Sequence, residues 1–556
     1  MRNNLLLVFL LLILGTPLQA QTSVTIRVDA SAPGAPFTPA WAYFGYDEPN
    51  YTYAKYGKKL LAELADLSRT PVYIRAHNLL TTGDGTAALK WGSTNAYRED
   101  ASGRAAYDWT ILDKIFDTYV GTGLKPLVEI GFMPEALSSH PRPYQHDWPQ
   151  GRLWTGWAYP PKDYGKWAEL VYRWVRHCVE RYGNAEVQSW YWEVWNEPDI
   201  GYWQGTPEEY LKLYDFAADA VKRALPEAQV GGPHSTGPAN PKAAEFLRKF
   251  LEHCARDTNY ATGKPGAPLD FVAFHAKGNL QVIEGHVRMG IAQHLQSIAK
   301  GFEIVSSFPE HRKKPVILGE SDPEGCAACS ARVHPQNAYR NGTLYPAYTA
   351  AVFARTLELA ARYSVNLEGA VTWAFEFEDQ PYFDGFRSLA TNGVDKPVLN
   401  LFRMLGLMDG AQIPAQSSQA ADLTEILKTG ISGVPDVAAL ATRGNRSVST
   451  LVWNYHDDDV RASDAEVELT VDRLPSEASR ILVRHYRIDA GHSNAYTVWK
   501  EMDSPQSPSA QQYAQLEKAG QLEMLNSPAW MSPKKGRLLL TFQLPRHGTS
   551  LVQLSW

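Results

Sequence analysis

The chain predicts an α/β protein, a (β/α)8 TIM barrel followed by a C-terminal antiparallel β-sandwich, and three observations carry the prediction. Between residues 36 and 408, short apolar runs alternate with longer stretches of helical periodicity, the pattern of parallel strands joined by crossover helices. The runs number eight, enough to close a barrel. Past Met408 the texture passes through a Gly-, Pro-, Gln- and Ser-rich stretch, 409–424, into strands of period two. The length agrees, because 556 residues exceed one average domain and an α/β barrel alone takes about 250.

Taken in chain order, residues 1–20 hold Arg2, an apolar run from Leu5 to Leu14, Gly15 and Pro17, then Leu18-Gln19-Ala20. That is the layout of a cleaved secretory signal, and its apolar run is far short of the roughly 20 residues that span a bilayer. A secreted or periplasmic mature protein starting near Gln21, with no membrane anchor, is expected. In residues 21–35, Val24, Ile26 and Val28 alternate and predict a strand that joins the sandwich. The barrel runs are Trp41 to Tyr46, Val72 to Arg75, Pro126 to Ile130, Trp190 to Trp195, Val230 to Pro233, Phe271 to Phe274, Pro315 to Leu318 and Ala370 to Phe375. After the third, Trp167, Leu170, Val171, Trp174, Val175, Cys178 and Tyr182 form one helical stripe. Thr206-Pro207-Glu208-Glu209 is a helix start, with a Thr cap, Pro at the first position and Glu at the third. In residues 409–556, Val467, Leu469 and Val471, then Ile481 and Val483, then Leu538, Leu540 and Phe542 mark the sandwich strands.

Composition narrows the function. Lys and Arg total 54 against 60 Asp and Glu, a net charge of -6 without a basic run, which argues against a nucleic-acid partner. Seventeen Trp and 28 Tyr suit stacking on sugar faces as well as core packing. Cys326-x-x-Cys329 has no second pair, so a small disulfide loop is expected rather than zinc, while Cys178 and Cys254 read as buried thiols. With no His-Glu-x-x-His, phosphate loop or Gly-x-Gly-x-x-Gly unit, neither a metal nor another cofactor is implied. The sequence leaves the oligomeric state open.

Barrel chemistry sits on the loops after the strand C-termini. The fourth run ends in Trp195-Asn196-Glu197-Pro198 and the seventh in Gly319-Glu320-Ser321-Asp322. Cleavage of a glycosidic bond needs a proton for the leaving oxygen and a carboxylate on the other side of the sugar; a spacing of about 5 to 5.5 Å makes that carboxylate a nucleophile and the reaction retaining. Glu197 is the expected acid/base, with Trp195 and Trp203 as an apolar wall that raises its pKa, and Glu320 the expected nucleophile. Were Glu320 an ordinary loop carboxylate, Asp322 would take its place. Asn196 suits the sugar 2-hydroxyl, His275 the nucleophile or a hydroxyl, and His77 the outer rim. Trp373 is placed to floor the sugar, with Glu376, Glu378, Asp379 and Arg387 adding polar groups after the eighth run.

Trp195-Asn196-Glu197-Pro198 with Gly319-Glu320 resembles the large clan of glycosidase barrels. Phe44-Gly45-Tyr46-Asp47-Glu48-Pro49, Gly231-Gly232-Pro233, His253-Cys254, the stretch from Leu269-Asp270 through Lys277-Gly278, and Lys396-Pro397-Val398-Leu399 look like glycoside hydrolase family 39. This family contains β-xylosidases and α-L-iduronidases. The resemblance implies an oligo- or polysaccharide substrate, Glu197 as acid/base and Glu320 as nucleophile. A β-D-xyloside and an α-L-iduronide share configuration from C1 to C4, so one constellation serves both. His275-Ala276-Lys277-Gly278 is similar to the iduronidase branch, where the matching lysine helps bind the uronate carboxylate, and Arg387 matches an arginine with the same task. Residues 382–392 depart from that branch, and the expectation is a retaining exo-acting β-xylosidase with a uronidase as the alternative. A secreted sugar-binding barrel without catalysis is the remaining class, which the presence of both carboxylates beside Asn196 argues against.

Overall fold

The computed structural model describes residues 22–148 and 151–556. Residues 1–21, on which the predicted signal falls, lie outside the described residues. Among the described residues no helix is long and apolar enough to cross a membrane.

Eight parallel strands close into a barrel: β1 (Tyr43–Tyr46), β2 (Tyr73–Ala76), β3 (Lys125–Ile130), β4 (Tyr191–Val194), β5 (Gln229–Ser235), β6 (Phe271–Lys277), β7 (Pro315–Asp322) and β8 (Asn366–Trp373). Pairing of Val371 in β8 with Tyr43 in β1 closes the ring. Each strand overlaps an expected run, but β5, β6 and β7 continue past the expected ends and β8 starts earlier, at Asn366. Across their shared edge Phe274 pairs with Leu318 and Ala276 with Ser321, so β7 carries one extra residue opposite His275. Such a bulge re-aims side chains, and it falls at Gly319 and Glu320, after which Ser321 and Asp322 still pair with β6.

Alternation along the strands sorts the side chains. Tyr43, Leu127, Tyr191, Phe271, Ala273, Ile317, Val371 and Trp373 form one buried cluster, whereas their neighbours Phe44, Val128, Trp192, Val272 and Val316 join the larger core that includes the helices. The helix Tyr164–Tyr182 buries the predicted stripe from Trp167 to Cys178 and leaves Tyr182 half-buried, and Asp163 caps it by accepting from Gly165 N and Lys166 N. The helix Pro207–Ala224 opens with the expected capping box between Thr206 and Glu209.

Beyond the barrel, one sheet has the order Ala415–Ser417, Thr22–Asp29, Ala465–Asp472, Leu538–Leu544. The other is built chiefly of Asp436–Arg443, Ser447–Tyr455, Thr549–Ser555 and Ile481–Ile488. Val24, Ile26, Val28, Val437, Val452, Val467, Leu469 and Leu544 share one buried cluster drawn from both sheets. The N-terminal strand pairs with 465–472 in parallel, Val24 opposite Val467 and Val28 opposite Val471, an exception in sheets that otherwise pair antiparallel. A strand arriving from the far end of the chain has no hairpin to fix its direction. Two helices that alternation gave no sign of, Ala495–Glu501 and Ala510–Ala519, interrupt the second half. Ala495, Trp499 and Leu516 cluster with Phe383 and Val394 from the segment after β8.

Candidate active site

After β4 the backbone turns sharply. Trp195 and Glu197 hold φ of 75° and 44°, the left-handed region that non-glycine residues avoid. Such strain persists only where neighbours enforce it: Glu197 N donates to His234 O at 3.0 Å, and Trp195 Nε1 to Tyr202 O at 2.8 Å. The indoles of Trp195 and Trp203, on either side of Glu197 in the chain, are buried and meet edge to face at 5.1 Å.

Glu320 projects from β7 and is 6% exposed. The preceding Gly319 has no room for a side chain, since a Cβ there would lie 2.0 Å from His234 Nδ1. Lys277 Nζ sits 2.5 Å from Glu320 Oε2 and also contacts Asp322, while Arg75 Nη1 lies 3.3 Å from Glu320 Oε1. His275 joins the two carboxylates, its Nδ1 3.0 Å from Glu197 Oε1 and 3.8 Å from Glu320 Oε1. Glu197 and Glu320 open into one cavity of about 440 Å³ that Asp47, His77, Lys90, Asn196, Tyr202, Lys277, Cys326 and Trp373 also line. Trp373 lies across Gly45, where a Cβ would fall 2.3 Å from the indole, and its ring meets His77 at 4.3 Å.

The two carboxyl groups are driven apart electrostatically. Burial, then the charge of Glu320, push Glu197 up to about 7. Burial also works to raise Glu320, but the Lys277 ammonium foremost, with His275, Arg75 and His77, holds it well below the usual carboxylate range. Burial pushes the His275 imidazole down to about 3, so near neutral pH it bridges the pair as an uncharged ring. The site therefore keeps a proton on one carboxyl group and a charge on the other.

Of the predicted residues, His77, Asn196, Lys277 and Trp373 line the cavity and His275 stands directly behind it. Two do not come to it. Arg387 is fully buried, its Nη1 2.9 Å from Glu324, its Nη2 3.3 Å from Asp322 and its Nε donating to Trp373 O at 3.1 Å. The chain after β8 folds back so that Arg387 N donates to Ala327 O, which turns the guanidinium into a brace behind the pocket wall. Asp379 opens onto a separate groove with Arg332, Tyr382 and Trp499. Glu376 and Glu378 accept backbone N–H groups, from Gly393 and from Tyr56 and Gly57. Cys326 and Cys329 are joined by a disulfide, and Arg340 clamps that loop by donating to the carbonyls of both.

Sequence reasoning passed over the group on which the site is built. Arg75, fully buried on β2, places Nε 2.6 Å from Glu193 on β4, Nη2 3.2 Å from Glu129 on β3 and 3.0 Å from Asn196 Oδ1. The signal was a charge inside each of three apolar strands, which demands partners at the same level of the barrel. Arg75→Met should destabilise the protein by about 3–5 kcal/mol, because it strands buried carboxylates without their cation. Denaturant unfolding followed by tryptophan fluorescence checks this, and a loss below about 1 kcal/mol would contradict it.

A closed parallel barrel carrying one protonated and one ionised carboxyl group at the ends of β4 and β7 defines a barrel glycosidase. The family model for glycosyl hydrolases family 39 matches residues 24–535, and the chain belongs to that family. It is similar to a β-xylosidase of Geobacillus stearothermophilus, 27% identical over 79% of this chain and 78% of the relative. It is also similar to the α-L-iduronidase of Mus musculus, 25% identical over 99% of this chain and 84% of the relative. In fold it matches the family 39 enzyme of Xanthomonas axonopodis pv. citri with a TM-score of 0.74 and 21% identity, over 97% of this chain and 99% of that one.

Proposed function

We propose that the protein is an exported, retaining, exo-acting glycosidase that removes terminal β-D-xylosyl residues from oligo- or polysaccharides. The observation that carries the mechanism is the carboxyl pair bridged by His275. The two distances from His275 Nδ1 cap the separation of Glu197 Oε1 and Glu320 Oε1 at their sum, which reaches only the lower edge of the inverting range of about 6.5–9.5 Å and leaves the retaining spacing of about 5–5.5 Å open. Glu320 attacks C1 while Glu197 gives its proton to the departing oxygen. Glu197 then takes a proton from water as the water displaces Glu320. Arg75 holds Asn196 by its Oδ1, which turns the amide N–H toward the 2-hydroxyl. The Cys326–Cys329 disulfide supports an oxidising destination.

The glycone follows from the cations. Lys277 is engaged by Glu320 and Asp322, Lys90 by Asp47, and Arg387 is held behind the wall, so a sugar without a C5 carboxylate fits the cavity as it stands. An α-L-iduronide is the second reading, favoured by the presence of Lys277 on the lining. Hydrolysis of a paired aryl β-D-xyloside and α-L-iduronide, with the first-formed anomer followed by NMR, decides: xylose released with retention is expected. Preference for the iduronide overturns the xyloside reading, and inversion overturns Glu320 as nucleophile.

The pH dependence has a fixed sign. Glu197 must hold its proton in the free enzyme, so kcat/KM should fall as pH rises through about 7. Glu320 must be ionised and is held low, so the acid limb lies below the usual carboxylate range. A kcat/KM profile that instead climbs from about pH 6 to about pH 8 would reverse the acid assignment.

A further inference from the structure

The cavity lining carries a charged pair that the chemistry at C1 does not use. Asp47 follows β1, Lys90 stands in the long connection after β2, and their side chains, 8% and 13% exposed, meet on the cavity lining. Their placement is enforced. Lys90 has φ of 60°, and its backbone N donates to Glu48 Oε1 at 2.6 Å. Two residues on, Gly92 closes against Pro49, where a Cβ would fall 2.2 Å from the ring. Asn50 then ties down Ser93 from both sides, with Oδ1 accepting from Ser93 N and Nδ2 donating to Ser93 O, each at 2.9 Å. The run Asp47-Glu48-Pro49-Asn50 thus pins the loop and delivers one lysine to the pocket.

Geometry says which part of a sugar the pair faces. His77 Nε2 lies 3.7 Å from Glu320 Oε1, and His77 Nδ1 lies 2.8 Å from Asp47 Oδ1. One imidazole and two polar contacts therefore separate Asp47 from the carboxylate at C1, a span comparable with one pyranose ring contacted at each end. Trp373 and His77 supply the floor between. An ammonium carries three donors and a carboxylate about four acceptor positions, more than Lys90, Asp47 and His77 consume on one another. A hydroxyl placed there donates to Asp47 and accepts from Lys90, and hydrogen bonds to charged groups are the strong ones.

We propose that the Asp47–Lys90 pair recognises the 3- and 4-hydroxyls of the terminal sugar and, by occupying the space beyond C4, limits the enzyme to chain ends. The proposal rests on the glycosidase reading but not on the choice of sugar, because both candidate glycones carry the same hydroxyls from C2 to C4. Its test uses whichever parent aryl glycoside is turned over faster, with its 3-deoxy and 4-deoxy analogues, on the native protein and on Lys90→Met, Lys90→Arg and Asp47→Asn, each first checked by thermal melting. The native protein should lose about 100-fold in kcat/KM on deletion of the 4-hydroxyl, since a site built for a hydroxyl rejects its absence. In Lys90→Met and Asp47→Asn the parent should fall by a similar factor while its advantage over the deoxy analogues shrinks below about 5-fold, with Lys90→Arg between. A deoxy penalty that persists undiminished in folded variants, or that is absent from the native protein, would overturn the proposal. Preference for the iduronide would overturn the xyloside reading alone, and this test would then proceed on the iduronide.

Discussion

Glu320→Gly should lower kcat on an aryl glycoside by about 10⁴-fold or more, the scale on which loss of a covalent nucleophile acts. The structure explains why no neighbour substitutes. Asp322, which shares Lys277 with Glu320, is committed to Lys277, to Arg387 and, through Oδ1, to the backbone N of Trp373 at 3.0 Å. Binding should survive, because Asn196 is held by Arg75 and the Trp373 backbone by Asp322 rather than by Glu320. The space the glycine opens gives a decisive second readout. Added azide should enter from the face Glu320 occupied and form a glycosyl azide of inverted configuration, recovering part of the rate. A variant that keeps activity within about 10-fold of the native protein, or an azide product of retained configuration, would remove Glu320 from the nucleophile's role.

Both carboxylates were legible because each stands two residues past the end of an apolar run, and run boundaries are where a barrel presents its chemistry. What was not legible depends on layers rather than on order along the chain. Arg75, Glu129 and Glu193 belong to three runs far apart in sequence and become one network only when the strands come to a common level. Glu197 at positive φ is equally hidden, since glycine is the usual mark of such a turn and none stands there. Arg387 was misplaced because distance from β8 says nothing of the direction in which the following chain folds; its hydrogen bond to Ala327 O sets it behind the wall. The helix Ala510–Ala519, by contrast, carried a readable signal, the Ser509/Gln512 capping box, masked by the surrounding strand alternation.

Glu197→Ala separates the two halves of the reaction. A substrate with a poor leaving group needs the Glu197 proton and should lose about 10²–10⁴-fold in kcat/KM, whereas an aryl glycoside with an acidic phenol leaves unaided and should keep its first step nearly intact. For that activated substrate the second step becomes limiting, because the same residue must deprotonate water, so kcat should drop together with KM as the glycosyl-enzyme accumulates. Azide needs no base and should restore turnover, giving a glycosyl azide of retained configuration, the opposite outcome to that of Glu320→Gly. The alkaline fall in kcat/KM near pH 7 should also vanish for the activated substrate, since the group pushed up to about 7 is gone. His275 keeps its contact with Glu320 and at about 3 is too weak a base to replace the missing carboxylate. Equal losses on good and poor leaving groups, with an alkaline limb unchanged, would move the acid/base role away from Glu197.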